Sequence, residues 1–432
     1  MDRTIRIRLS LMMVLEFVIW GAWLPLIYGY LPSLGFAPTQ QSWILNAFPI
    51  SAIVGIFFSN QFADRHFAAE RFLAFSHVVG GAAILGLAFT RSFWPFLLLM
   101  WVHCLLYVPT LSIVNSIAFA HMKDPKREFG PVRMGGTIGW VLAAWPFTFI
   151  LVDWGKVHAA CPQGVVNWLG AVLGSGLTGP ALQNATRWTY VVSGLVSFVL
   201  AAYSLTLPHT PAKRAASQAD RLAWLEAMRL LRHPYVLVLW LVALLDAFVL
   251  YAYFNWTAIF LGSRTVGIPG NWIMPVMSIG QVAEILTMLI LGVTLKTLGW
   301  RTTMVIGILG HAVRFAVFAF FPQTTGLIVA VNLLHGVCYA FFFATVYIFV
   351  DEYFPKDVRA SAQGIFNVMI VGLGALAANS VCPYLLQGVF TRDGVADFRG
   401  LFLVPLVVAV VAALLLALLF KPPQRPVDTQ SV

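Results

Sequence analysis

Charge is what this sequence has least of: only 10% of its 432 residues are Asp, Glu, Lys or Arg, and just 17 are acidic. Soluble domains carry about 25% charged residues, so a soluble globular fold is excluded. The four cysteines, Cys104, Cys161, Cys338 and Cys382, do not suggest a disulfide framework, because three fall in apolar runs and only Cys161 in a loop. No C-x-x-C pair or Cys/His cluster has metal-ligand spacing, and neither G-x-S-x-G nor H-E-x-x-H occurs. The sequence therefore gives no basis for an enzyme, a metal site or a bound cofactor. A cleavable leader is not expected either. The basic start MDRTIRIR runs into an apolar stretch reaching about Tyr30, with no small-x-small cleavage site and with Glu16 interrupting it.

What is there is oil. The chain is 60% hydrophobic, with a mean hydropathy of +0.84. Its 15 Trp and 34 Phe suit interfacial belts and cavity walls more than a nucleic-acid surface. Apolar runs of the ~20 residues needed to cross a bilayer fall at about 8–30, 40–62, 72–90, 93–120, 132–152 and 188–207, then at about 234–260, 271–295, 302–321, 324–350, 361–387 and 399–420. The expected fold is an all-α integral membrane protein of twelve transmembrane helices. Residues 1–207 would form a six-helix bundle, 208–233 a charged cytoplasmic linker, and 234–432 a second six-helix bundle with a short cytoplasmic tail.

Topology follows from the basic residues. Nineteen of the 27 Lys and Arg fall in the segments that are inside if the N-terminus is cytoplasmic, and six fall outside. Both termini are then expected inside, and the net charge of +10 is a topology signal rather than a nucleic-acid footprint. The outside segment 153–187 is long and glycine-rich; it reads as holding a short helix on the outer face, with a lid or an inert insertion as its alternative roles.

A few polar groups sit where lipid does not tolerate them. An acid at mid-membrane costs about 2.5–3.5 kcal/mol on insertion scales, and three acids in three spans, Glu16, Asp246 and Glu284, exceed what packing requires. Met277, Gln281, Glu284 and Met288 share one helix face. That face reads as the lining of a substrate and proton pathway, with Glu284 the leading proton carrier and Glu16 and Asp246 further candidates. Glu16, Trp20 and Trp23 share another face, where the indoles either stack a flat ring or pack at the interface. Arg133 and Thr137, among the glycines that open span 5, present a guanidinium and a hydroxyl suited to a ligand rich in oxygen and nitrogen. Span 7 offers Asp246, Tyr253 and Thr257, span 9 His311 and Arg314, span 10 His335 and Tyr339, and span 11 Gln363 and Asn367. Arg314 reads as neutralising one of the buried acids, and His77 and His103 as packed, hydrogen-bonded histidines. Two related bundles suggest a transported molecule bound near mid-membrane.

Several segments carry a resemblance. NQFADRHFAAERFL after span 2 and GVTLKTLGWRTTM after span 8 resemble the G-x-x-x-D-[RK]-x-G-R-[RK] loop of the major facilitator superfamily. The first keeps Asp64, Arg65 and Arg71, and the second keeps Gly292, Gly299 and Arg301. The role implied for Asp64, Arg65 and Arg71 is a cytoplasmic clamp on one gating state. GPVRMGGTIGW, SLTLPHTPA, SIGQVAEILTML, AVRFAVFAF and VRASAQGIFNVM, with YVPTLSIVNSIAF and EFVIWGAW, resemble the nucleoside:proton symporters of that superfamily, the bacterial nucleoside permeases, over nearly the whole chain.

The resemblance implies a proton-coupled importer of nucleosides in a bacterial inner membrane, with the proton as coupling ion and a monomer expected to suffice. The family's nucleoside-contacting arginine and threonine fall on Arg133 and Thr137, and its glutamine and acid of span 8 on Gln281 and Glu284. Trp20, Tyr253 or Tyr339 would stack on the base. The sequence departs from the family in span 7, where polar positions fall on Leu250 and Tyr253, and in span 10, where an expected acid falls near Ala340. Those departures leave a sugar or another small polar solute as the alternative cargo, and export as the alternative direction.

Overall fold

In lipid every backbone N–H and C=O must find its partner inside the segment, so apolar runs of this length fold as helices. The computed structural model describes residues 2–58, 67–123, 125–211, 230–354 and 359–422. Nine helices among these residues are long and apolar enough to cross a membrane: Arg3–Ser33, Ala69–Leu87, Phe93–Ala120, Gly179–Ser204, Pro234–Leu261, Gly270–Phe320, Thr325–Tyr353, Ala362–Val389 and Phe398–Leu419. Where spans 2 and 5 were expected, the chain is helical in shorter pieces: Pro38–Leu45 and Ala47–Phe58, then Pro125–Ala144 and Phe147–Ile150.

Spans 8 and 9 are two helices that meet at Gly299, whose φ of 73° and ψ of 172° are non-helical and open to glycine. Two expectations need correction. Span 6 begins at Gly179, well before the apolar run, since Thr186 and Thr189 satisfy their hydroxyls on carbonyls of their own helix. The outside segment contains two helices rather than one, Trp154–Ala159 and Gly164–Gly174, closed off by a bridge between Val152 and Gly176. Asp64, Arg65 and most of the linker lie outside the described residues; Arg71 is exposed.

By internal packing the chain divides into two compact units, Met1–Lys213 with Trp256–Ile279, and Arg214–Asn255 with Gly280–Val432. The first is built around a close crossing of the Arg3–Ser33 and Pro125–Ala144 helices. A Cβ at Gly135 would stand 2.6 Å from the Ser10 carbonyl oxygen, and one at Gly139 only 2.2 Å from that of Val14. Two glycines four residues apart thus let two backbones touch, which is how helices gain contact where lipid supplies no hydrophobic drive. One end of this unit is strapped by the segment after span 6. Glu70 accepts from the Thr210 backbone N–H at 3.0 Å and meets His209 Nδ1 at 2.8 Å, while the Ala69 N–H donates to the Thr210 carbonyl. Buried Asn271 donates from Nδ2 to the carbonyls of Thr148 and Val172, both at 3.1 Å. This ties the outside segment to the head of the helix that carries Glu284.

The second unit repeats the close-crossing device. A Cβ at Gly336 would lie 2.2 Å from the Glu284 backbone nitrogen, and one at Gly280 would lie 2.7 Å from the His335 Cβ. Single π-helical stretches at Tyr339–Ala344, Val368–Gly374 and Leu385–Val389 interrupt its helices. Such stretches widen a helix locally and often accompany functional sites.

Candidate functional site

The Pro125–Ala144 helix has three faces. Gly135, Gly139 and Ala143 meet the Arg3–Ser33 helix, and Met134, Ile138 and Leu142 form an exposed apolar stripe. Arg133, Thr137 and Trp140 follow i, i+4, i+7 spacing on the remaining face, all half-buried. The Arg133 guanidinium lies 4.3 Å over the Phe17 ring, and its room depends on Gly136, where a Cβ would come 2.3 Å from Nη1. Trp20, also half-buried, stacks on Phe48 at 4.7 Å and meets Trp140 edge-on at 5.2 Å. The result is a guanidinium and a hydroxyl beside a wall of aromatic rings, suited to a flat, polar, uncharged molecule. Trp140 and Phe17 belong to this wall; the spacing of Trp140 from Arg133 was the available signal, whereas nothing in the sequence pairs Phe17 with Arg133.

Glu16, on the same helix as Trp20, turns into the bundle and is fully buried. Thr110 Oγ1 lies 2.7 Å from Glu16 Oε1 and 2.5 Å from the Tyr107 carbonyl, Tyr107 donates to the Glu16 backbone carbonyl at 2.8 Å, and His77 Nε2 lies 2.9 Å from Oε2. Ser197 donates its one hydroxyl proton to the His77 carbonyl at 3.1 Å, so His77 Nδ1, 2.9 Å from Ser197 Oγ, is the donor in that contact. The Nε2–Oε2 contact then holds a single proton, carried by either atom. His77 and His103 are both buried and hydrogen-bonded, His103 through Nδ1 to the Gly80 carbonyl at 3.0 Å. Trp23 packs against His103 with 2% of its surface exposed.

In the second unit, Glu284 is half-buried, and Gln281 is 7% exposed. Val282, Leu286, Leu289, Ile290 and Val293, from 46% to 75% exposed, occupy the opposite side of the same helix. Glu284 therefore points away from the exposed apolar stripe. Met277 and Leu291 are buried on its side of the helix, while Met288 is 39% exposed. Tyr339 is half-buried in the π-helical stretch, near Phe343. Tyr253 is fully buried, with the Arg314 guanidinium 3.9 Å over its ring, the His335 ring stacked at 5.2 Å, and its hydroxyl donating to Asn332 Oδ1 at 2.8 Å. Asp246 is also fully buried, 3.8 Å from His311 Nε2. Leu250 is 7% exposed, and Ala340 sits in an apolar cluster with Leu291 and Phe341. Among the described residues no group of three or more His, Cys, Asp or Glu is placed to hold a metal ion.

The family profile described as Nucleoside H+ symporter matches residues 3–172 and 163–425. A xanthosine permease of Escherichia coli strain K12 is 27% identical over 422 residues, which span 93% of this chain and 92% of that protein. The nucleoside permease NupG of the same organism is 25% identical over 446 residues, 99% of either chain. The crystal structure of the nucleoside transporter NupG superposes with a TM-score of 0.78 at 23% identity, covering 98% of this chain and all of that one. A D-xylose-proton symporter shares the fold at a TM-score of 0.69 and 15% identity, over 98% and 99% of the two chains. The apolar helices agree with a profile that covers almost the entire length, and the chain belongs to the nucleoside H+ symporter family.

Proposed function

We propose that this multi-pass membrane symporter imports nucleosides across a bacterial inner membrane by alternating access, with both termini cytoplasmic and a monomer as the working unit. Arg133, Thr137 and Gln281 hydrogen-bond the base or ribose. Trp20 and Tyr339 supply ring faces for the base, by analogy with the ~1–3 kcal/mol per base found for aromatic stacking on nucleic acids. Tyr253, its ring covered by Arg314 and His335, contributes by holding those two groups. Glu284 is the leading proton carrier, Glu16 with His77 and Asp246 are further exchange sites, and Asp64, Arg65 and Arg71 clamp the cytoplasmic side in one gating state.

The observation that carries this reading is the placement of Glu284, an acid on the side of its helix opposite five exposed apolar residues. An acid kept from lipid inside a transporter marks an ion path. The test is uptake of radiolabelled uridine and adenosine into proteoliposomes, with and without an inward proton gradient, alongside xylose and glucose. Gradient-driven nucleoside accumulation supports the reading. Leu250, Tyr253 and the apolar surroundings of Ala340 favour the second reading, a symporter of another polar solute, and accumulation of a sugar with no nucleoside uptake would establish it.

A further inference from the structure

Inside the second unit, three helices far apart in sequence bring together Asp246, His311, Arg314 and His335, none more than 3% exposed. Arg314 Nη2 lies 2.7 Å from His311 Nδ1, and Nη1 lies 3.2 Å from His335 Nδ1. A guanidinium only donates, so both Nδ1 atoms are acceptors and both neutral imidazoles carry their proton on Nε2. That assignment points the His311 Nε2–H at Asp246 Oδ2, but across 3.8 Å, too long for a hydrogen bond. Neither Asp246 oxygen has a hydrogen-bond partner among the described residues, and neither does His311 Nε2 or Arg314 Nε.

Glu16 makes the contrast plain. Its carboxylate oxygens are held by His77 and Thr110. A buried acid left without acceptor contacts beside a buried guanidinium is a poor stabilising device, because both groups have lost water and neither is fully repaid by the other. An acid that gains and loses a proton accounts for the gap. The groups facing Asp246 are His311 and Arg314 of the Ile273–Phe320 helix and the Cys338 thiol of Leu334–Cys338. The Val368–Gly374 stretch, packed beside it, brings Gly374 against Ala247.

We propose that Asp246 is a proton-binding group of the transport cycle distinct from Glu284, with Arg314 as its fixed counter-charge and the His311 Nε2–H as the donor that engages only the ionised form. Uptake forms one O–H bond on Asp246, raises the charge of the cluster by one and leaves the imidazole N–H without an acceptor. Release returns the proton to water, and the N–H closes onto the freed carboxylate. The other imidazole held by Arg314 belongs to His335, whose neighbour Gly336 rests on the backbone of Glu284. A shift of the guanidinium between its partners is thereby passed to the helix that carries the leading acid. The proposal rests on the proton-coupled reading above.

Two readouts test it. The first is the infrared difference spectrum of purified protein between acidic and alkaline buffer, which needs no substrate. A protonated-carboxyl band lost in Asp246→Asn and kept in Glu284→Gln is expected; a band unchanged by Asp246→Asn overturns the proposal. The second compares gradient-driven uridine accumulation with uridine counterflow. Asp246→Asn is expected to lose accumulation and keep counterflow, and retention of full accumulation overturns the proposal. If the single variant does not fold, the Asp246→Asn, Arg314→Gln double variant removes both charges together, with the same outcomes expected and the same outcome overturning. A wild type that carries uridine without protons defeats the functional reading itself, whereas a coupled wild type whose Asp246→Asn form is equally coupled defeats only this inference. If the wild type carries no uridine, the infrared band decides alone.

Discussion

At the scale of single residues, glycines decide how near two backbones come, and they separate packing from binding on one helix. Gly139→Ala would drive a Cβ into the Val14 carbonyl, which cannot yield. Overpacking of this kind costs about 1–3 kcal/mol, so a lower midpoint of thermal unfolding in detergent is expected. Gly136→Ala meets instead the tip of Arg133 and the edge of the Phe17 ring, both side chains that can swing aside. It is expected to leave the midpoint nearly unchanged and to weaken substrate affinity, read from the half-saturation concentration of uptake. Thr110→Val removes the hydroxyl that contacts Glu16 Oε1 and the Tyr107 carbonyl, and a buried hydrogen bond contributes about 0.5–1.5 kcal/mol. Thermal unfolding of that variant is expected to show the loss, with an unchanged midpoint arguing that Glu16 takes another donor.

At the scale of elements, the kink and the outer tie carry the predictions. Gly299 has a φ of 73° and a ψ of 172°, a region essentially confined to glycine, where an L side chain costs about 1–3 kcal/mol. Gly299→Ala is expected to lower the unfolding midpoint, and no change would mean that the two arms straighten without penalty. Asn271 holds the Thr148 and Val172 carbonyls. Asn271→Ala is expected to speed hydrogen exchange across residues 151–176 while leaving the core of the Arg3–Ser33 helix protected.

The helices themselves were legible in the sequence, because lipid forces any sufficiently long apolar run to pair its own backbone. Their interruptions were not. Hydropathy falls from Lys296 to Arg301, but that two helices meet there at one non-helical glycine is seen only in the backbone. Thr186 and Thr189 look like loop residues until their hydroxyls are seen bonded to the preceding turn. Arg133 and Thr137 were readable from spacing along one helix. The partners of Glu16 were not, since His77 is 61 residues away and Thr110 is 94, and helix spacing carries no information across such separations. Arg314 was expected to neutralise an acid, and its charge acts on Asp246; that it also bonds two histidines, one of which faces that acid, was not readable.

At the scale of the whole molecule, few charges remain in the described spans, and the buried ones have identifiable neighbours: Glu16 with His77 and Thr110, Asp246 near His311 and Arg314. A protein this oily retains such groups where they move a proton or hold a polar cargo. The account stands or falls on Glu284 as the group that ties proton entry to substrate entry. The most direct measurement is proton influx, followed with a pH-sensitive dye trapped in proteoliposomes, on adding uridine to wild type and to Glu284→Gln. The account predicts uridine-dependent influx in the wild type and none in the variant, with uridine exchange across the membrane preserved in both; equal influx in the two would contradict it.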